Sequence, residues 1–246
     1  MILKVVSTGS IGNCYILENE TEALIIECGV PVQKIKEALD FNFSKVVGAL
    51  VTHEHGDHNK SMLDVMKLGI NVYATAGTHK ASVSAGSHRA KICKSKEQFQ
   101  IGNFRVIPFD VKHDVAEPVG FLINHPETGN VLFLTDSMYS PYTFKNLNNI
   151  IIEANYSKAI IDRKYGAESN KEFLRNRVLR SHFSLENCKD MLAANDLSKV
   201  NNIVLIHLSD SNSNEVQFLE EVHKQTGKNV SVASAGMTIS FNTTPF

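Results

Sequence analysis

Nowhere in these 246 residues do about 18 apolar residues run together, and the start, Met-Ile-Leu-Lys-Val-Val-Ser-Thr-Gly, carries neither a basic leader nor a small-residue cleavage site. The expectation is a soluble, cytoplasmic protein. Cysteine is scarce: Cys14, Cys28, Cys93 and Cys188 form no Cys-x-x-Cys pair, which argues against a zinc ribbon or a thioredoxin-like redox motif. Cys14 and Cys28 fall in apolar, strand-like stretches and read as buried thiols of a reducing compartment. Net charge is almost absent, with 25 Lys and Arg against 26 Asp and Glu and a pI near 6.8. Any contact with a polyanion must therefore come from a local patch. Glycine (14) and proline (6) are few beside 43% hydrophobic residues. Such a chain can bury a large core, and with no repeat, low-complexity tract or linker, residues 1–246 read as one domain.

The apolar pattern sets the order of elements. Residues 2–7, 14–18 and 23–27 read as an antiparallel β meander, with Gly9, Gly12 and Asn13 in its first turn. After Pro31 a helical spacing runs to Asp40, residues 46–52 read as a strand, Ser61 caps a helix with Leu63, Met66 and Leu68 inside, and 71–75 is a strand. Residues 104–111, 119–124 and 131–135 return to β. The last third alternates: a strand at 149–152, helices at 171–180 and 185–194, a strand at 203–206, a helix at 215–226 closed by Gly227, and a final strand pair.

Five of these strands run into an ionisable residue: His53, His113, Asp136, Glu153 and His207. A strand buried on both faces cannot hold a charge in its middle, but its end is rigidly placed and opens to a cleft. The first of them opens the densest stretch in the chain, His53-Glu54-His55-Gly56-Asp57-His58. On an extended segment His53 and His55 point the same way and can share one ion, while Gly56 lets the backbone turn so that Asp57 and His58 face a second. Histidine and carboxylate ligands without cysteine suit divalent cations such as Zn²⁺ or Mn²⁺, and this number of them suits two ions.

His53, His55, Asp57 and His58, followed in order by His113, Asp136 and His207, resemble the signature of the metallo-β-lactamase superfamily. The resemblance implies an α/β (α+β) fold, a four-layer αββα sandwich of two mixed sheets, with no inserted second domain. It also implies that His53, His55 and His113 hold one ion, that Asp57, His58 and His207 hold the other, and that Asp136 bridges them with a hydroxide that acts as nucleophile. An aspartate at 136, where zinc β-lactamases carry cysteine, points away from antibiotic hydrolysis. The stretches "STGSIGNCYIL", "HDVAEPVGFLI", "LTDS", "IIEANYS", "RSHFSLEN" and "IHLSDSNSN" resemble the WalJ/YycJ-type exonucleases, and Glu153 and His182 resemble the accessory pair of tRNase Z-type ribonucleases. Glu27 departs from the pattern, which has aspartate there. Phe183 and Leu185 are milder departures.

The function this implies is metal-dependent hydrolysis of phosphodiesters, an exonuclease acting on DNA or RNA. Asp57, Glu153 and His182 are the catalytic candidates, with His182 as proton donor to the leaving group and Glu153 as its orienting base. The competing reading pairs Glu153 with a surface cation and makes His182 the cap of the helix near Leu185. Basic stretches at 80–96 (Lys80, Arg89, Lys91, Lys94, Lys96) and 163–180 (Arg163, Lys164, Lys171, Arg175, Arg177, Arg180) read as guides for nucleic acid or as solvated faces. Two other functions stay open: hydrolysis of a small thioester, lactone or cyclic phosphodiester, and noncatalytic metal binding. His79, His88, His125 and His223 read as surface residues.

Overall fold

A computed structural model of the chain describes residues 1–165 and 172–244. Two seven-stranded mixed sheets face each other. The first runs β14 (Thr238–Ser240), β1 (Ile2–Ser7), β2 (Cys14–Glu18), β3 (Ala23–Ile26), β4 (Val46–Leu50), β5 (Val72–Ala74), β6 (Ala90–Ile92). The second runs β13 (Asn229–Val232), β12 (Asn202–Ile206), β11 (Leu147–Glu153), β10 (Gly129–Leu134), β9 (Val119–His125), β8 (Phe104–Asp110), β7 (Phe99–Ile101). Each sheet pairs antiparallel through its early strands and parallel through its later ones, the change falling at β3 and β4 in the first and at β10 and β11 in the second.

Side-chain parity along these strands builds three apolar layers. Leu3, Val5, Tyr15, Leu17, Leu24 and Ile26 meet Val106, Phe121, Ile123, Phe133, Ile151 and Val204 between the sheets. The alternate residues Ile16, Ile25, Ala49 and Val51 face Ile35 of α1 (Val32–Ala38) and Met62, Val65 and Met66 of α3 (Met62–Lys67). On the far side Leu132, Leu134, Ile150, Ile152, Ile203 and Leu205 pack against α7 (Leu185–Ala193) and α8 (Glu215–Thr226) through Leu185, Cys188, Leu192, Phe218 and Val222. The result is the four-layer αββα sandwich. All four cysteines are free and buried.

Several details differ from the sequence reading. Leu63 is 44% exposed, and Met62 with Val65 and Met66 takes the inner face of α3. The last two strands do not pair with each other: β13 joins β12 and β14 joins β1. The helices α2 (Gly56–Asn59), α4 (Ala76–Ala81) and α5 (Lys158–Tyr165) and the strands β6 and β7 were not legible; α5 buries only Ile161, too little apolar surface to set a period. The helix expected over 171–180 is α6 (Glu172–Ser181), and Lys171 lies outside the described residues. His79 and His125 are buried rather than exposed: His79 shares a hydrogen bond with Ser84 Oγ at 2.8 Å, and His125 Nε2 lies 2.9 Å from Glu22 Oε1.

That last contact belongs to a clamp across the two sheets. Glu22, buried in the turn before β3, also accepts hydrogen bonds from Asn103 N at 3.0 Å and Asn103 Nδ2 at 2.7 Å, in the turn between β7 and β8. Burial would raise its pKa, but the Asn103 and His125 hydrogen bonds and the His125 charge together hold it below the usual range. A lowered folded-state pKa gives stability that is complete above the unfolded value of about 4.3 and is lost as pH falls through the folded value. Glu22→Gln should therefore cost about 1–3 kcal/mol at pH 7 and progressively less toward pH 3, read from urea unfolding at both pH values. Equal midpoints for the two proteins at pH 7 would show that the clamp carries no stability.

Candidate metal centre

The dense hexapeptide follows β4 directly. Val51 N still bonds Tyr73 O at 3.0 Å, so His53 is delivered by an extended segment, 1% exposed, with Nδ1 at 2.9 Å from Thr52 Oγ1. His55 is the extended residue before α2, with φ −62° and ψ 145°, and the helix turns Asp57 and His58 away from it. Gly56 has no positive φ, and a Cβ there would meet nothing, so the turn does not depend on its lack of a side chain. The glycine that matters is Gly29, where a Cβ would overlap the Asp57 carbonyl. Around it Asn13 N bonds Asp57 O (2.7 Å), Cys28 N bonds His58 O (2.7 Å) and Gly29 N bonds Asn13 O (2.9 Å).

Three groups of potential ligands gather at this edge, each with its donor atoms within 4.8 Å of one another: His53, His55, His113 and Asp136; Asp57, His58, Asp136 and His207; and Asp136, Glu153, His182 and His207. Asp136 is common to all. Its Oδ2 lies 2.8 Å from His58 Nε2 and 3.4 Å from His53 Nε2, and its Oδ1 lies 2.9 Å from His207 Nδ1 and 3.0 Å from His182 Nδ1. His55 Nδ1 and His113 Nε2 are 3.0 Å apart. Asp136 (φ 43°), His207 (φ 55°) and Glu27 (φ 66°) are all left-handed, a conformation that costs a non-glycine residue energy and concentrates at functional sites.

The residues fit a cation. His53 Nε2, His113 Nδ1 and His207 Nε2 are buried ring nitrogens without a hydrogen-bond partner among the described residues, and leaving such groups unsatisfied is costly. Desolvation and the neighbouring His58 hold His53 well below the usual histidine range, the neutral form that binds metal. Desolvation also lowers His113, with the His55 charge adding to it against Asp136. His58 and His207 move upward, because Asp136 and the other carboxylates outweigh their desolvation. Asp136 and Asp57 stay ionised, held down by these histidines against the cost of burial.

Glu153 ends β11 fully buried, and its role is wider than the sequence suggested. Oε1 lies 2.8 Å from His182 Nδ1 and 3.1 Å from His207 Nδ1, while Oε2 accepts from Phe183 N at 3.1 Å and Ser137 N at 3.3 Å. One carboxylate thus orients two imidazoles. The alternative in which Glu153 meets a surface cation does not hold, and the cap of α7 is Ser184, which accepts from Asn187 N at 3.0 Å. Desolvation pulls His182 down, but Glu153 and Asp136 push it up to about 9. Glu27, one methylene longer than the aspartate of the resembling pattern, still brings Oε1 to 3.5 Å from His58 Nδ1.

Sequence reasoning missed a buried polar chain linking the two halves of the site. His207 N donates to Thr8 Oγ1 (2.9 Å), Thr8 Oγ1 meets Tyr15 Oη (2.8 Å), and Tyr15 donates to Asn13 Oδ1 (3.2 Å). Asn13 Nδ2 then reaches Asp57 O (3.2 Å), Asp57 Oδ2 (3.4 Å) and His58 Nε2 (3.2 Å). Burial raises the Tyr15 pKa, which keeps the hydroxyl a donor. The signal was present in the polar residues of "STGSIGN", which read as a turn and as part of a family resemblance but gave no partner for Thr8 or Asn13.

The centre opens into a cleft of about 930 Å³. Of the two basic stretches, 80–96 contributes no described residue to its lining, and 163–180 contributes Asn176, Val178 and one basic residue, Arg180. Arg89 is turned to Asn71, Lys96 to Asp110 and the Tyr142 ring, and Arg175 to Asp162. Lys171 and the side chain of Arg177 lie outside what is described. Among the described residues no helix is long and apolar enough to cross a membrane.

Residues 28–208 match the family model of the beta-lactamase superfamily domain, and the chain belongs to that family. Within it, the chain is similar to the exodeoxyribonuclease YycJ of Bacillus anthracis, 28% identical over 241 residues and 88% of each chain. It is also similar to the exodeoxyribonuclease WalJ of Streptococcus pneumoniae, 25% identical over 254 residues, covering 96% of this chain and 91% of the relative. The crystal structure of the metallo-beta-lactamase fold protein YhfI from Bacillus subtilis matches with a TM-score of 0.72 at 13% identity, over 97% of this chain and 99% of that one. At that identity the likeness concerns the fold.

Tyr15→Phe keeps the ring and removes the link between His207 and Asn13. It should cost about 1–2 kcal/mol in urea unfolding and leave less metal on the protein after dialysis. Unchanged stability and unchanged metal content would dissociate the chain of hydroxyls from the site.

Proposed function

We propose that this protein is a two-metal phosphodiesterase that shortens nucleic acid, DNA in the first instance, from a strand end. The observation that carries the reading is Asp136 standing in two otherwise separate ligand groups, each completed by three further histidine or aspartate donors. His53, His55 and His113 would hold one cation, Asp57, His58 and His207 a second, with Asp136 common to both; nitrogen and oxygen donors without sulfur suit Zn²⁺ or Mn²⁺. Cations so held supply an activated water near neutral pH and neutralise charge on the phosphate. The exodeoxyribonuclease relatives support DNA as the polymer. The buried free cysteines are consistent with a cytoplasmic setting.

The chain's own residues supply the rest. His182 lines the cleft with Nδ1 fixed against Glu153 and Asp136, so Nε2 is the nitrogen left to donate a proton to the leaving oxygen. Glu153, sealed from solvent, keeps that ring oriented and favours its protonated form. Asp57 is held against His58 and His207, both at 3.4 Å from Oδ2, as a ligand that cannot swing away.

The test uses protein of known metal content on end-labelled single- and double-stranded DNA and RNA. Asp136→Asn should lose both bound metal and cleavage, and His182→Ala should keep its metal while turnover drops about 10²–10⁴-fold. Full turnover in His182→Ala would remove the proton donor from the mechanism. Two bound metals with cleavage of a small ester and of no polymer would instead favour a small-molecule hydrolase.

A further inference from the structure

We propose that the wall of the cleft formed by Arg180, Asn212, Ser10 and Ser209 is a subsite for a non-scissile phosphate of the strand, an assignment that rests on the phosphodiesterase reading and names where the polymer is gripped. Besides the imidazoles of the metal centre, the described residues that line the cleft with Asp57, Asp136 and Asp114 include one Lys or Arg, Arg180. Arg180 stands near the end of α6, exposed, and its guanidinium has no hydrogen bond or ion pair to a described residue, whereas Arg89, Arg105 and Arg175 are each turned to a neighbour. A guanidinium lining a cleft presents a planar fork of donors, the geometry that suits phosphate oxygens.

The other members of this wall offer donors too. Asn212 is only 5% exposed, and its carbonyl end is occupied: Lys164 Nζ donates to Oδ1 at 3.0 Å, and Ser211 Oγ lies 3.5 Å away. Lys164 is itself fixed by Ser211 O at 3.2 Å, and Ser157 N holds the Asn212 backbone carbonyl at 3.0 Å. With Oδ1 taken, the amide that Asn212 brings to the cleft is its NH₂. Ser10 and Ser209, each carrying a hydroxyl, line the same cleft. These donors suit an anion, while the carboxylates and imidazoles of the metal centre suit cations. A volume of about 930 Å³ is at the upper end of what one drug-sized ligand fills, room for a phosphate beyond the one being cut.

The test compares two substrates. Bis(p-nitrophenyl) phosphate carries one phosphodiester and no neighbouring phosphate; a single-stranded DNA dodecamer carries both. Arg180→Ala removes an exposed side chain, and Asn212→Asp keeps the oxygen that Lys164 holds while replacing the NH₂ by a negative oxygen, so both variants should fold and retain metal. The expected result is that kcat/KM for the dodecamer, divided by that for the small ester, falls at least tenfold in each variant. For Arg180→Ala the slope of log KM for DNA against log salt should also become shallower by about 0.7, the change expected when one fewer phosphate of a single strand is neutralised. A ratio within twofold of wild type in both variants overturns the subsite. Wild-type protein that cleaves the small ester and no DNA overturns it while leaving the hydrolase standing, and metal-loaded protein that cleaves neither removes the phosphodiesterase reading with it.

Discussion

The whole arrangement depends on one buried carboxylate. Asp136 reaches His53 and His58, which follow β4 of the first sheet, His207, which follows β12 of the second, and His182, which follows α6. Rings of His53, His55, His58 and His113 crowd to centroid separations of 4.2–4.8 Å, a spacing at which protonated imidazoles repel one another unless anionic charge lies among them. The surrounding architecture serves to hold that charge in place. Parallel strands end side by side at this edge, and Glu27, Asp136 and His207 take left-handed backbone where the chain leaves them.

Much of the site was legible in the sequence. The hexapeptide and the strand-end residues His113, Asp136, Glu153 and His207 could be read because a charge at the end of an apolar run is rare unless it is used, and period-2 burial locates the strand. What was not legible depends on partners far away in the chain. Thr8 meets His207 across 199 residues, Glu22 meets His125 across 103, and neither pairing leaves a local pattern. His79 looked like a turn residue because the short helix α4 that buries it is only six residues long. Gly56 was given a conformational role that belongs to Gly29, since a sequence cannot say which glycine another backbone will touch.

Glu153 shows how a supporting layer of side chains can unify a site. By accepting from two backbone amides with one oxygen and facing His182 and His207 with the other, it couples a candidate proton donor to a candidate ligand. Moving either ring would disturb the other. Such shared support explains how a residue on α6's flank can be registered to within hydrogen-bonding distance of strand-end residues, although the helix itself is a peripheral element.

The strand β3 has a glutamate at each end, Glu22 before it and Glu27 after it, and the two mark opposite edges of the sandwich. At the first edge the sheets are laminated by fixed hydrogen bonds to Asn103 and His125; at the second they are joined through histidines and carboxylates whose cohesion follows the supply of positive charge. A laminate bonded by unlike adhesives opens at the edge whose adhesive can be withdrawn. The far edge is thus complete in the protein's own hydrogen bonds, while the working edge keeps buried ring nitrogens whose partners must come from outside the chain.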